Sequence, residues 1–161
     1  MLAALIIAIL STASISQAPE VHADQVIVVK KARTLTLMSK GKPLRTYKVA
    51  LGASPTGRKE RQGDHKTPEG RYILSGRNAA SHYYKSIHIS YPNADDRKRA
   101  GALHVSPGGD VMIHGLPNGY GWVGADHRLR DWTDGCIAVT NSEMDEIWKL
   151  VPDGTPLEIR P

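Results

Sequence analysis

One cysteine stands among the 161 residues, Cys136, in the run Trp132-Thr133-Asp134-Gly135-Cys136-Ile137-Ala138-Val139. Upstream, Asp110-Val111-Met112-Ile113-His114-Gly115 ends a short apolar stretch on a histidine. A thiol behind a glycine and an imidazole on a separate strand end are the parts of a nucleophile and its base. A lone cysteine is often only a packing residue. This one is flanked by glycine, polar on its N-terminal side and followed by a helix start, which are features of a site. A free thiol titrates near pH 8.5 and must lose its proton to attack, a task that suits His114. Backbone N–H groups at Gly135 and Cys136 are suited to hold an oxyanion, because glycine admits a close approach.

Other candidate chemistries are weaker. Gly119-Tyr120-Gly121-Trp122-Val123-Gly124 spells GxGxxG but follows a Leu-Pro-Asn turn instead of a strand, so it does not read as a dinucleotide site. Gly52 to Glu60 resembles a P-loop, with its lysine one place late and Glu60 where a magnesium-binding hydroxyl belongs; it reads as a turn between strands. His104, His114, His127 and Cys136 are the candidates for zinc, but they lack the close ligand pairs of structural sites. No metal and no cofactor is therefore expected. His65, His82 and His88 have ordinary explanations as surface or satisfied pocket residues.

The elements that must position Cys136 and His114 are mostly strands. Val26–Val29 is a continuous apolar run. Thr34–Leu37 alternates, Lys40-Gly41 turns, and Leu44–Leu51 returns, which predicts a hairpin. Short strands are expected at 71–75, 86–90, 111–114, 136–139 and 155–160. Thr140-Asn141-Ser142-Glu143 is a capping box, and Met144, Ile147, Trp148 and Val151 fall on one helical face. The sum is a mainly β domain, a β-sandwich or open barrel with one or two short helices.

Leu2–Leu10 contains only Leu, Ile and Ala, and Val21-His22-Ala23 offers a cleavage point before Asp24. Residues 1–23 read as a signal peptide, with an uncleaved anchor as the alternative, and 24–161 as one catalytic domain. The protein is then exported to the periplasm or cell envelope, without a stable membrane span if the signal is cleaved. Removing that segment takes away one acid, Glu20, and raises the net charge from +5 to +6. That balance suits an anionic envelope. The basic clusters are short and not interleaved with aromatics, so nucleic acid is not an expected partner.

These residues carry a resemblance. Ile113-His114-Gly115 followed by Thr133-Asp134-Gly135-Cys136-Ile137 is similar to the signature of the L,D-transpeptidase catalytic domain, the YkuD-type family. Lys66-Thr67-Pro68-Glu69-Gly70-Arg71-Tyr72, Ile87 to Asn93 and Ser106-Pro107-Gly108-Gly109-Asp110 agree with it. The resemblance implies a thioester-forming enzyme on peptidoglycan stem peptides, in cell wall cross-linking or remodelling. Cys136 would be the nucleophile, His114 the base and the Gly115 carbonyl the support of the imidazole. Thr133, Asp134 and Gly135 would form the nucleophile turn. His88, Ser90, Tyr91, Trp122 and Trp132 would contact substrate, the tryptophans from a lid over 116–132. An envelope lipoprotein is a candidate partner. Asp134 stands where most of the family has His, and Ala138 where Arg or Asn is common. This variant resembles the YafK-like branch, which keeps a hydrolase of the same bond open as an alternative, beside an inert wall-binding module.

Overall fold

The structure, a computed structural model, describes residues 21–161. Most of the expected export segment lies outside the described residues. Eight strands form one sheet: β1 (Gln25–Val29), β2 (Thr34–Ser39), β3 (Lys42–Lys48), β4 (Gly70–Ser81), β5 (Tyr84–Ile89), β6 (Met112–His114), β7 (Ile137–Ala138) and β8 (Thr155–Arg160). Their order is β3-β2-β1-β8-β4-β5-β6-β7. Alternation decides the faces. Val26 and Val28, Leu35 and Leu37, and Leu157 and Ile159 all point into one core, and pairing of Val26 with Leu157 and Val28 with Ile159 aligns them. Ile113 on β6 and Ile137 on β7 are register partners and both fully buried, so Met112 and His114 emerge on the opposite face.

The sheet curls until its two ends meet. Just past β3, Ala50 exchanges both backbone hydrogen bonds with Ala138 of β7, at 3.0 and 2.9 Å. The expected return strand to Leu51 thus ends at Lys48, because the next residues leave β2 to pair with the far edge. The clamp continues: Thr133 N–H donates to the Leu51 carbonyl at 3.1 Å and Ala53 N–H to the Thr133 carbonyl at 2.9 Å. Residues 49–69 are therefore a long excursion packed under the cysteine turn, not the strand-to-strand turn expected over 52–60. The architecture is a single open barrel closed by a few bridges.

Two α-helices flank the sheet. α2 (Asn141–Leu150) starts at Thr140, whose side chain and that of Glu143 cap each other's backbone, as the sequence predicts. Its Met144 and Ile147 are buried in the core. α1 (Ala94–Ala102) was not predicted from apolar periodicity, since only Asp96 and Ala100 are buried. Its start is a second capping box, Asn93 with Asp96. A 3₁₀ helix, Gly121–Leu129, occupies the segment expected as a lid. No helix among the described residues is long and apolar enough to cross a membrane.

Asp131 locks the clamp. Its carboxylate accepts from Arg33 Nε and Nη2 at 3.0 and 2.8 Å and from the Leu51 N–H at 2.9 Å. Asp131→Ala leaves that buried N–H unpaired and is expected to cost about 1–3 kcal/mol. Urea unfolding should show a lower midpoint at unchanged slope; an unmoved midpoint would mean that the clamp closes without it.

Candidate active site

Cys136 precedes β7 directly, and a knotted turn sets its position. Thr133 Oγ1 accepts from Gly135 N–H at 3.1 Å and donates to the Cys136 carbonyl at 2.7 Å. Gly135 has φ +130, and a Cβ there would lie 2.6 Å from the Lys66 carbonyl oxygen, so only glycine fits. The Gly135 amide, expected to help hold an oxyanion, donates to Thr133 here. The Cys136 amide is the remaining candidate of the two.

The thiol is half-buried and donates toward the Asp110 carbonyl at 3.6 Å. Burial pushes its pKa up, and the Asp134 and Asp110 carboxylates add to that; the Met112 N–H and Lys59 work in the opposite direction. His114, at the end of β6, is 3% exposed. Its Nδ1 lies 2.7 Å from the Gly115 carbonyl oxygen. A carbonyl only accepts, so Nδ1 carries the proton and Nε2 keeps its lone pair. Burial lowers the His114 pKa against the weaker raising effect of that hydrogen bond, so the ring is neutral at pH 7. Gly115 itself is required: a Cβ would meet Asn141 Oδ1 at 2.8 Å, the same oxygen that accepts from Leu116 N–H.

His114 is boxed by aromatic rings. Tyr83 lies with its ring centroid 4.5 Å away, and Trp132 meets the imidazole edge-on at 5.9 Å. Cys136, His114, Tyr83, Trp132, Asp134 and His65 all line one open cleft of about 520 Å³, with Lys59 and Asp110. Lys59 is buried and paired with Asp64 at 2.7 Å. A second, more apolar cleft of about 490 Å³ lies across Trp132, lined by Leu116 and Tyr120 and by Val123 and Leu129 of the 3₁₀ segment.

The other expected substrate contacts fall elsewhere. His88 sits on β5 opposite Met112 and does not line the thiol cleft. Ser90 accepts from the Ile73 N–H at 2.8 Å. Tyr91 is buried and donates to the Pro107 carbonyl, which makes it a structural residue. Trp122 is 82% exposed and lines neither cleft. Trp132 alone of that group walls the site. Tyr83 and Lys59 were not singled out from the sequence: one is a turn residue between β4 and β5, the other a member of a charged run, and neither position has a local signal. His65, expected on the surface, is half-exposed but bonded through Nδ1 to Asp134 at 2.7 Å. Among the described residues no three His, Cys, Asp or Glu side chains are grouped to hold a metal ion. His127, one of the zinc candidates, is buried and takes a long 3.5 Å contact from Trp132 Nε1.

With that geometry in view, residues 24–159 match the family model of the L,D-transpeptidase catalytic domain. The chain belongs to that family. Over 131 residues it is 37% identical to the protein named "Putative L,D-transpeptidase YafK" of Escherichia coli (strain K12), covering 77% of this chain and 45% of the relative. It superposes with a TM-score of 0.64 and 27% identity on the helical cell shape determining protein Pgp2 from Campylobacter jejuni, over 86% of this chain and 49% of that one. L,D-transpeptidase 1 of Mycobacterium tuberculosis shares the fold at 15% identity and a TM-score of 0.51, over 84% of this chain and 60% of that one. The chain thus spans about half the length of YafK and Pgp2.

The electrostatics set the pH dependence of the thiol. Its raised pKa means that alkylation by iodoacetamide should have a midpoint above the roughly 8.5 of a free cysteine. Asp134→Asn, which removes a like charge, should move that midpoint down. Rates read by intact-protein mass spectrometry over about pH 6–10 check both; a wild-type midpoint below the free thiol's would contradict the burial argument.

Proposed function

We propose that this domain is an exported cysteine acyltransferase of the cell wall. It acts on peptidoglycan stem peptides through a thioester on Cys136, with residues 1–23 as the export segment. One observation carries the reading: a neutral buried imidazole with a free Nε2 and the chain's only thiol open into the same cleft. Met112 and His114 share a face of β6, and β7 runs parallel beside it, so the thiol just before β7 and the imidazole are neighbours on that face.

The steps follow from these groups. His114 Nε2 takes the thiol proton as Sγ attacks the carbonyl of a stem-peptide amide bond. The developing oxyanion is held by the Cys136 N–H. His114 then gives the proton to the departing amine, and the acyl group rests on sulfur. The acceptor, an amine of another stem or of an envelope lipoprotein, or water, completes the turnover. Neutral His114 is needed at the start, so activity falls on the acid side only below the ordinary histidine value of about 6.5. The relation to Pgp2, a protein of helical cell shape, supports a role in wall remodelling.

Cys136→Ala should abolish turnover of defined muropeptides and the acyl adduct on the protein, with an unchanged circular dichroism spectrum. His114→Ala should slow adduct formation by about 10²–10⁴-fold, the usual worth of a positioned base. Turnover surviving in the Cys136 variant would end the covalent mechanism, and would leave a wall-binding module or another nucleophile to account for the cleft.

A further inference from the structure

His65 and Asp134 are the unassigned pair in the thiol cleft. The carboxylate only accepts, so the 2.7 Å contact fixes the proton of the neutral ring on Nδ1 and leaves Nε2 with a lone pair. Nε2 makes no hydrogen bond within the described residues. This is the arrangement in which a carboxylate orients an imidazole and steadies the imidazolium that forms when it takes a proton.

The contact lies at the surface, with the Asp134 side chain 92% exposed, but the segments that carry it are fixed. The two side chains come from segments distant in sequence, yet their backbones are locked together. Gly52 lies between them: a Cβ on it would stand 2.2 Å from the His65 carbonyl oxygen and 3.1 Å from Gly135 Cα. Ser54 N–H donates to that same carbonyl at 3.0 Å. On its other side Gly135 abuts the Lys66 carbonyl. His65 itself is held at φ +53, in the left-handed region that few non-glycine residues enter. Both side chains line the same cleft as Cys136.

The two histidines of the cleft differ in access. His114 is 3% exposed behind Tyr83 and Trp132, whereas the His65 side chain is 52% exposed at the mouth. Solvent reaches the second far more freely than the first. We propose that His65, oriented by Asp134, is the base that activates water against the Cys136 thioester, so that hydrolysis is the reaction this site favours. The inference rests on the acyl-enzyme reading above. Water oxygen attacks the thioester carbonyl as its proton passes to His65 Nε2. The C–S bond breaks, and sulfur leaves with the bonding pair. The proton on His65 returns to sulfur through solvent, giving a free carboxylic acid and the Cys136 thiol.

The test uses the full chain, a muropeptide with a tetrapeptide stem, and a D-amino acid as competing amine. The variant is His65→Asn, since asparagine tolerates the left-handed backbone. Intact-protein mass spectrometry follows growth and decay of the Cys136 adduct, and product mass spectrometry reads hydrolysis against amine exchange. The expected result is a fall of about 10²-fold in the ratio of hydrolytic decay to adduct formation. Amine exchange should gain share, and added imidazole should restore hydrolysis through the vacated, solvent-open position. A merely structural role would not respond to imidazole. Adduct formation with unchanged decay, or equal loss of hydrolysis and exchange, overturns the dyad while leaving the thioester reading in place. Absence of any Cys136 adduct in the unaltered protein overturns both.

Discussion

Two backbone hydrogen bonds between Ala50 and Ala138 hold the design together. Without them the sheet has two free edges, and the turn bearing Cys136 hangs from a two-residue strand, β7. With them, the first third of the chain is brought under the nucleophile. The excursion over 49–69 then supplies the floor and one wall of the cleft: Thr67 accepts the Gly52 N–H at 2.9 Å, Lys66 presses on Gly135, and Lys59 and His65 face the thiol. Alanine at both positions suits a crossing where strands from opposite ends of the sheet must approach closely.

The site then combines opposite demands on solvation. Burial makes His114 a neutral acceptor, and the same burial makes Cys136 a reluctant acid. In the proposed reaction, a neutral thiol beside a neutral imidazole stays inert until a substrate carbonyl arrives, when proton transfer and attack proceed together. The aromatic box of Tyr83 and Trp132 supports this state, keeping water from the ring while leaving Nε2 toward the cleft.

Much of this was legible in the chain. Alternation over Thr34–Leu37 and the apolar run Val26–Val29 gave the first strands, in which every second residue enters the core. The Thr140 capping box gave α2, since four orphan N–H groups need partners wherever a helix begins. The Thr-Asp-Gly-Cys and His-Gly runs singled out the thiol and imidazole. What stayed hidden was long-range. The closure at Ala50 has no local signature, because an alanine bridging two strand ends looks like any other alanine. Tyr83, Lys59 and His65 acquire their places only when that closure is made. α1 escaped because it buries little apolar surface, although Asn93 and Asp96 carry the same capping chemistry as Thr140 and Glu143. One local bond stayed hidden too: the Gly135 amide, expected to face an oxyanion, donates to Thr133 Oγ1.

The buried Lys59–Asp64 pair keeps one wall of the cleft charged well into acid. Asp64 also accepts the N–H groups of Glu60, Arg61 and Lys66, and Lys59 with these three donors holds its pKa down to about 2 against the desolvation that would raise it. Its contribution to stability is complete above the ordinary carboxylate value near 3.9 and fades only as pH falls through about 2. In the proposed reaction, protonation of His114 removes the base at the acid end, while the Lys59–Asp64 pair beside the thiol keeps its charges. Acid therefore reaches the imidazole before it reaches this wall, and charging the buried His114 is itself a load that the fold, not the Lys59–Asp64 pair, must carry.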